Sequence, residues 1–160
     1  MKRFKNFILL SVCISLICSC KKFSEPPMAE FVEFQSNGIV KDKDYVLHPI
    51  QLNDSDVHPF LAKVTLVIRY SQNSIVRSLP LEIEYLPNYQ DSLHQDTITI
   101  PLFDEDDMKI GSGSFPVYEN HVTLTKQIWV DSNFFLSLKT HEHNTHGILS
   151  AGVIIHRQKN

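Results

Sequence analysis

Three histidines lie close together near the carboxyl end of the chain, in the run His141-Glu142-His143-Asn144-Thr145-His146. Side chains two residues apart on a strand point to the same side, and a turn at Asn144-Thr145 would bring the third imidazole back toward them. Imidazole is a common ligand of zinc and other transition metals, so His141, His143 and His146 are candidate metal ligands. No neighbouring group is evidently placed to orient the rings, and a solvated hairpin tip is the simpler interpretation. We therefore expect no bound metal and no other cofactor.

Two further runs resemble a calcium-binding loop and a catalytic serine motif, but each lacks residues that the motif requires. Asp104-Glu105-Asp106-Asp107 supplies carboxylates of the kind that calcium binds. It lacks the glycine and the distal glutamate of an EF-hand loop, so a solvated turn is favoured. Ser112 lies directly between two glycines, whereas a nucleophile elbow has each glycine two residues from the serine and a helix after it. With no catalytic constellation in the sequence, we predict that the protein is not an enzyme.

Several large aromatic side chains could contribute to a sugar or peptide site. Phe135 is informative, because Phe134, Leu136 and Leu138 would fill the core and leave Phe135 on the opposite face. There it either marks a partner surface or is covered by a neighbouring loop. A concave pocket lined by Trp129 or the tyrosines would favour ligand binding, and a flat surface would not. The candidates are Tyr85, Tyr89, Tyr118, Trp129, Phe134 and Phe135.

The first residues of the chain have the pattern of an export signal. Lys2, Arg3 and Lys5 precede an uncharged apolar run from Phe7 to Ile17. A spanning helix needs ~20 apolar residues, and this run is about half that length. The segment therefore predicts export from the cytoplasm.

This segment ends in Ile17-Cys18-Ser19-Cys20, which resembles the bacterial lipobox. The resemblance implies that Cys20 receives a diacylglycerol thioether, that residues 1–19 are removed as a lipoprotein signal peptide, and that the new amino terminus is acylated. Each buried methylene adds ~0.8 kcal/mol to membrane binding, so two or three chains hold a protein permanently. Cys20 is thus the predicted lipid-attachment site. The alternative is an ordinary secreted protein cut near Ser19.

Residues 20–28 contain two prolines and little apolar content, which predicts an extended tether between the lipid and the folded domain. In Bacteroidetes, an acidic cluster directly after the lipidated cysteine resembles a surface-export signal. Lys21 and Lys22 occupy those positions here. This difference favours the periplasmic face of the outer membrane.

Charge and cysteine content exclude several functions. The formal net charge is −3, and removal of residues 1–19 takes away three cations and no acids, so a basic nucleic-acid-binding stripe is not expected. Cys13 and Cys18 leave with the signal, and lipid occupies Cys20. The mature chain then has no thiol for a disulfide, a nucleophile or a cysteine-based zinc site.

Between residues 29 and 160, apolar side chains recur at about every second position, which predicts strands with one buried face. His121–Val130 is interrupted at Lys126, which predicts a bulge between two short strands. About eight short strands, with no helical periodicity, indicate a single all-β domain: a two-sheet antiparallel β-sandwich. Jelly-roll-like topology is preferred to immunoglobulin-like topology because several connections exceed hairpin length. The predicted strands are Phe31–Gln35, Tyr45–Ile50, Ala62–Tyr70, Leu79–Tyr85, Thr97–Leu102, His121–Val130, Phe134–Lys139 and a strand containing Val153 and Ile155.

From Ala62 to Arg157 the order of features resembles the GldH gliding-motility lipoprotein family of Bacteroidetes. Ile110 stands where that family usually has an aromatic residue, which indicates a distant member. The matching features are Leu66-Val67-Ile68-Arg69, Leu79-Pro80-Leu81-Glu82-Ile83, Asp96-Thr97, Pro101-Leu102, Gly111-Ser112-Gly113 with Phe115, Tyr118-Glu119-Asn120, and Gly147-Ile148 with Gly152.

The resemblance implies a lipid-anchored, non-catalytic envelope protein. Its partners would be the membrane, through the anchor, and envelope proteins of a gliding apparatus or of the secretion system coupled to it. The alternative is a periplasmic lipoprotein module that binds carbohydrate, peptide or metal, since sandwich folds often present ligand sites at loops or on an exposed sheet face.

Overall fold

The computed structural model describes residues 26–35, 38–50, 58–113 and 115–158. Cys20 and the predicted signal peptide lie outside these residues. The described residues form strands joined by turns, with no helix long and apolar enough to cross a membrane. The eight strands are β1 (Met28–Glu33), β2 (Tyr45–Leu47), β3 (Phe60–Ser71), β4 (Ser78–Leu86), β5 (His94–Pro101), β6 (Val117–Val130), β7 (Phe135–Lys139) and β8 (Ile148–Arg157).

The strands form two four-stranded sheets, in the orders β1-β8-β3-β6 and β2-β7-β4-β5. Every pair is antiparallel, and β1 pairs with β8, β2 with β7, β3 with β6 and β4 with β5. This is the pairing of one long hairpin rolled into two layers, which defines a jelly roll. The predicted all-β jelly-roll sandwich is confirmed, and the immunoglobulin-like alternative is wrong.

The core lies between the sheets and follows the predicted alternation. Leu66, Ile68 and Val153 from the first sheet are fully buried, as are Leu136 and Leu138 from the second. Their side chains fill one continuous apolar layer because successive residues of a strand point to opposite faces.

One outer face is also partly covered, which the alternation does not predict. Val67 points away from the core and is nevertheless buried. On β1, the Phe31 ring lies against Gly152, where even a Cβ would come within 2.2 Å of the ring. The Arg69 guanidinium stacks 4.1 Å above the same ring. The Phe31 side chain thus covers part of the outer face of the first sheet.

The prediction of two short strands between His121 and Val130 is wrong, because β6 is continuous over fourteen residues. The predicted bulge is confirmed. The register shifts between Ala62, opposite Ile128, and Val64, opposite Thr125. The Gln158 side-chain amide donates to the Lys126 carbonyl at 2.7 Å, so the backbone next to the shift is partnered and the strand continues.

Because the strands pair in this antiparallel order, the connections between successive strands lie at two opposite ends of the sandwich. We call the end where β1 begins the N-terminal end, and it carries the connections β2–β3, β4–β5 and β6–β7. The far end carries the connections β1–β2, β3–β4, β5–β6 and β7–β8. β3 has twelve residues, and at ~3.3 Å per residue it separates the two ends by about 40 Å.

Tyr70 fixes the longest far-end connection to the core. Its buried hydroxyl lies 3.1 Å from the Leu102 carbonyl oxygen and also within hydrogen-bonding distance of the Ile110 carbonyl oxygen, on either side of the acidic turn. Burial, together with the neighbouring Tyr118, raises the pKa of Tyr70 to about 12. The hydroxyl therefore remains a donor throughout the physiological range.

We expect Tyr70→Phe to lower the free energy of unfolding by about 1 kcal/mol, because it removes a buried donor from carbonyl acceptors. Urea unfolding followed by circular dichroism measures this change. Tyr118→Phe is the matched control, since Tyr118 stacks on Tyr70 but its hydroxyl makes no hydrogen bond to another described residue. Equal stability of the Tyr70 variant and the unsubstituted protein would contradict the assignment.

Candidate functional site

The three histidines lie in the β7–β8 connection at the far end and have different partners. Because β7 and β8 belong to different sheets, the interpretation of this run as a hairpin tip is wrong. His141 is held between Asp42, at Nδ1, and Glu82, whose Oε1 lies 3.0 Å from Nε2. His143 Nε2 lies 2.9 Å from the Lys41 ammonium, which disfavours a second cation there. The His146 backbone N–H bonds to the Asn144 side chain. Among the described residues, no group of three or more His, Cys, Asp or Glu is arranged to hold a metal ion.

The two carboxylates favour the protonated form of the His141 imidazole. The pKa of His141 is raised chiefly by its hydrogen bond to Glu82 and then by its hydrogen bond to Asp42. The pKa of Asp42 is lowered, mainly by the same imidazole. These carboxylates are distant from His141 in the sequence, which is why no orienting group was evident there. The geometry is that of an exposed ion-pair cluster joining the β1–β2 and β7–β8 connections to β4.

The acidic run and the glycine pair have structural roles. The Asp104 carboxylate accepts hydrogen bonds from the backbone N–H groups of Asp106, at 3.0 Å, and Met108, at 2.8 Å, as in an exposed turn. Ser112 pairs through its backbone with Glu119. Gly111 and Gly113 have positive φ, and a Cβ on Gly111 would lie 2.2 Å from the Glu119 carbonyl oxygen. The interpretation of the acidic run as a turn is confirmed, and the two glycines supply positive-φ positions on either side of the Ser112–Glu119 bridge.

The far-end connections are bound to one another. The Thr145 hydroxyl donates to the Ile39 carbonyl at 2.9 Å, which joins β7–β8 to β1–β2. The Ser74 hydroxyl donates to the His146 carbonyl at 3.2 Å, and the Lys109 ammonium donates to the Ser74 carbonyl at 2.9 Å. All four connections therefore form one surface, which we call the far-end platform.

The far-end platform carries large apolar side chains that face solvent. Phe115 is 77% exposed, Ile75 is 72% exposed and Met108 is 65% exposed. Val40 is more than half exposed on the same end. Sequence reasoning missed these residues, although apolar side chains inside polar turn segments are a usable signal. Exposed apolar side chains on connections that are bonded to one another offer contacts to a protein partner.

Most of the predicted aromatic candidates have structural roles. Phe134 is in the core and Tyr118 stacks on Tyr70. Tyr85 stacks on His94, with the ring centroids 4.9 Å apart. Phe135 does point away from the core, as predicted, but it is half-buried and lies 6.1 Å from the His48 ring. His48 begins the β2–β3 connection, so the covering by a neighbouring loop is confirmed.

Tyr89 and Trp129 differ, because both line a cleft at the N-terminal end. Trp129 is 51% exposed and Tyr89 is 65% exposed. The cleft has a volume of about 480 Å³ and is also lined by Asn88, Asp91 and Gln127. The sequence does not show that the β4–β5 connection meets the end of β6. The concave, aromatic pocket that would favour ligand binding is therefore present.

The described residues define a jelly-roll β-sandwich with a platform at one end and a cleft at the other. Comparisons of the chain with protein-family models, with curated proteins and with solved structures find no match. The fold class rests on the strand order. The function has to be inferred from the surface chemistry of the two ends.

The His141 cluster predicts a pH dependence with a defined sign. Since the folded pKa of His141 is raised above 6.5, its contribution to stability is present below pH 6.5 and is lost as the pH rises through the raised value. Since the pKa of Asp42 is lowered below 3.8, its contribution is present above pH 3.8 and is lost as the pH falls through the lowered value.

We expect an NMR titration of the His141 ring protons to give a pKa above 6.5, and Glu82→Gln or Asp42→Asn to lower that pKa. Glu84→Gln is the matched control, because Glu84 lies two residues along the same face of β4 and makes no contact with His141. An unsubstituted His141 that titrates at or below 6.5 would contradict the cluster.

Proposed function

We propose that this chain is a lipid-anchored, non-catalytic protein of a bacterial envelope that acts by contact with other proteins. Its anchor is Cys20, and its place is the periplasmic face of the outer membrane. The resemblance to GldH lipoproteins supports a role beside a gliding apparatus or the secretion system coupled to it.

One observation carries the contact function: exposed apolar side chains lie on bonded loops at the end remote from the N-terminus. Phe115, Ile75 and Met108 face solvent, and three hydrogen bonds between loops join the connections of this end to one another. Rigid loops lose little conformational entropy on binding, so apolar contacts on them contribute efficiently to affinity. Central apolar and aromatic residues dominate most protein interfaces.

The direction of the platform fits an anchored protein. A nine-residue tether reaches roughly 30 Å at ~3.4 Å per residue. β1 begins at the N-terminal end, and the platform lies about 40 Å further along the strands. Lipid at Cys20 would therefore leave the platform facing away from the bilayer, toward proteins of the periplasm.

A second function, ligand binding by the same anchored body, is favoured by the cleft at Tyr89 and Trp129. The cleft volume of about 480 Å³ lies within the usual range for small-ligand sites. This function is compatible with the first, because the cleft and the platform lie at opposite ends.

We expect Cys20→Ser to move the protein from the membrane fraction to the soluble periplasmic fraction, because the variant cannot form the thioether. Cell fractionation with immunoblotting measures this shift. Mass spectrometry of the unsubstituted protein should show acyl chains on Cys20 and no residues before it. An unmodified Cys20, or a variant that stays with the membrane, would refute the anchor.

We expect Phe115→Lys and Ile75→Lys each to reduce recovery of partner proteins by about tenfold or more, as loss of an interface anchor does. The measurement is affinity capture from gently solubilised envelope with quantitative mass spectrometry. Val46→Lys is the control, since Val46 is an apolar residue that is 50% exposed but lies on a strand of the second sheet. Equal losses in all three variants, or a protein captured alone, would contradict the contact function.

A further inference from the structure

We propose that the cleft between Tyr89 and Trp129 is a binding site for a neutral oligosaccharide. This assignment deepens the second function above and is independent of the contacts at the far-end platform. The residues that carry it come from the β4–β5 connection and from the end of β6.

The aromatic rings provide the first half of the recognition chemistry. Trp129 and Tyr89 both expose at least half of their surface within one concave site. A pyranose ring has an apolar face of C–H groups, and aromatic faces bury such a surface favourably. The indole also carries an N–H donor, so one side chain offers both an apolar face and a polar edge.

The polar lining provides the second half. Asn88, Gln90 and Gln127 line the cleft with side-chain amides, and Asp91 adds a carboxylate. Amides donate and accept together, which matches hydroxyl groups that do the same. The described lining contains no lysine or arginine. A phosphorylated or carboxylated ligand would find no cation there, so a neutral sugar fits best.

Hydrogen bonds hold the cleft in shape before any ligand arrives. The Asn88 amide donates to the Trp129 carbonyl at 3.0 Å, which fixes the β4–β5 connection against β6. The buried Asp131 carboxylate accepts the Tyr89 backbone N–H at 3.3 Å and the Asn133 backbone N–H at 2.8 Å. The Gln90 amide donates to the Tyr89 hydroxyl at 2.6 Å. Such preorganisation reduces the entropy cost of binding.

A saccharide accounts for the lining better than a peptide does. A bound extended peptide needs a strand edge with unpaired backbone groups or deep apolar side-chain pockets. β6 is an edge strand, but its Trp129 carbonyl at the cleft already accepts a hydrogen bond from the Asn88 amide. Here the lining consists mainly of residues with side-chain amides and of the exposed rings of Tyr89 and Trp129. Partial aromatic exposure beside several amides is what a ligand with an apolar face and a hydroxylated rim requires.

Trp129 is the only tryptophan of the chain, so its fluorescence reports directly on the cleft. The experiment uses the mature, lipidated protein in a detergent without a sugar head group. The probes are chitotetraose, cellotetraose and β-1,4-mannotetraose, with tetra-alanine as the peptide probe. We expect at least one tetrasaccharide to change the Trp129 emission saturably, with a Kd below about 1 mM. Tetra-alanine should cause no change.

Calorimetry with the bound tetrasaccharide separates the cleft from the rest of the surface. Trp129→Ala and Tyr89→Ala should each weaken binding by about tenfold or more, because each removes one aromatic face. Val46→Ala is the control and should bind normally, since Val46 is an exposed apolar residue on β2 and does not line the cleft. Unchanged thermal melting of the variants would show that they fold.

The remaining outcomes decide against the assignment in different ways. A response to tetra-alanine alone would overturn the saccharide while leaving ligand binding at the cleft intact. No response to any probe up to about 10 mM would overturn both. Full affinity in the Trp129 variant would place the sugar elsewhere. None of these results bears on partner capture through Phe115 and Ile75, which tests the contact function separately.

Discussion

The rest of the structure depends on the antiparallel pairing of the first strand with the last, the second with the seventh, the third with the sixth and the fourth with the fifth. This pairing forces four connections to cross between the sheets at one end. Loops that cross side by side bring the backbone carbonyls of one loop within reach of side-chain donors of the next, as at Ser74, Lys109 and Thr145. The bonded far-end platform is a direct consequence, and so is its distance from the start of β1.

The proposed functions rest on side chains at the two ends of the sandwich. The inner faces are occupied by the core, and part of the first sheet's outer face is covered by Phe31 against Gly152. The platform presents apolar side chains on fixed loops. The cleft combines Trp129 with side-chain amides and with Tyr89, whose backbone N–H donates to the buried Asp131 carboxylate. One end is suited to a protein surface and the other to a small polar ligand, and an anchored body could use both.

The sequence predicted features set by local geometry and missed those set by distant contacts. Apolar and polar residues alternate from Ala62 to Tyr70 because successive side chains of a strand point to opposite faces of the sheet. The strands and their buried face could therefore be predicted. Long connections correctly favoured the jelly roll. The burial of Val67 depends on a ring from β1, and the His141 cluster depends on carboxylates far along the chain. Tyr89 and Trp129 were recognised singly, but forty residues separate them and only the fold brings them together.

Site-specific photocross-linking in the native host tests most directly whether the far-end platform contacts a partner. A photoreactive amino acid is placed at Phe115 and, in separate strains, at Val46. The structure predicts a discrete cross-linked protein band from position 115 and none from position 46, because the apolar platform is at the far end. Cross-links of equal yield from both positions, or from position 46 alone, would contradict the account.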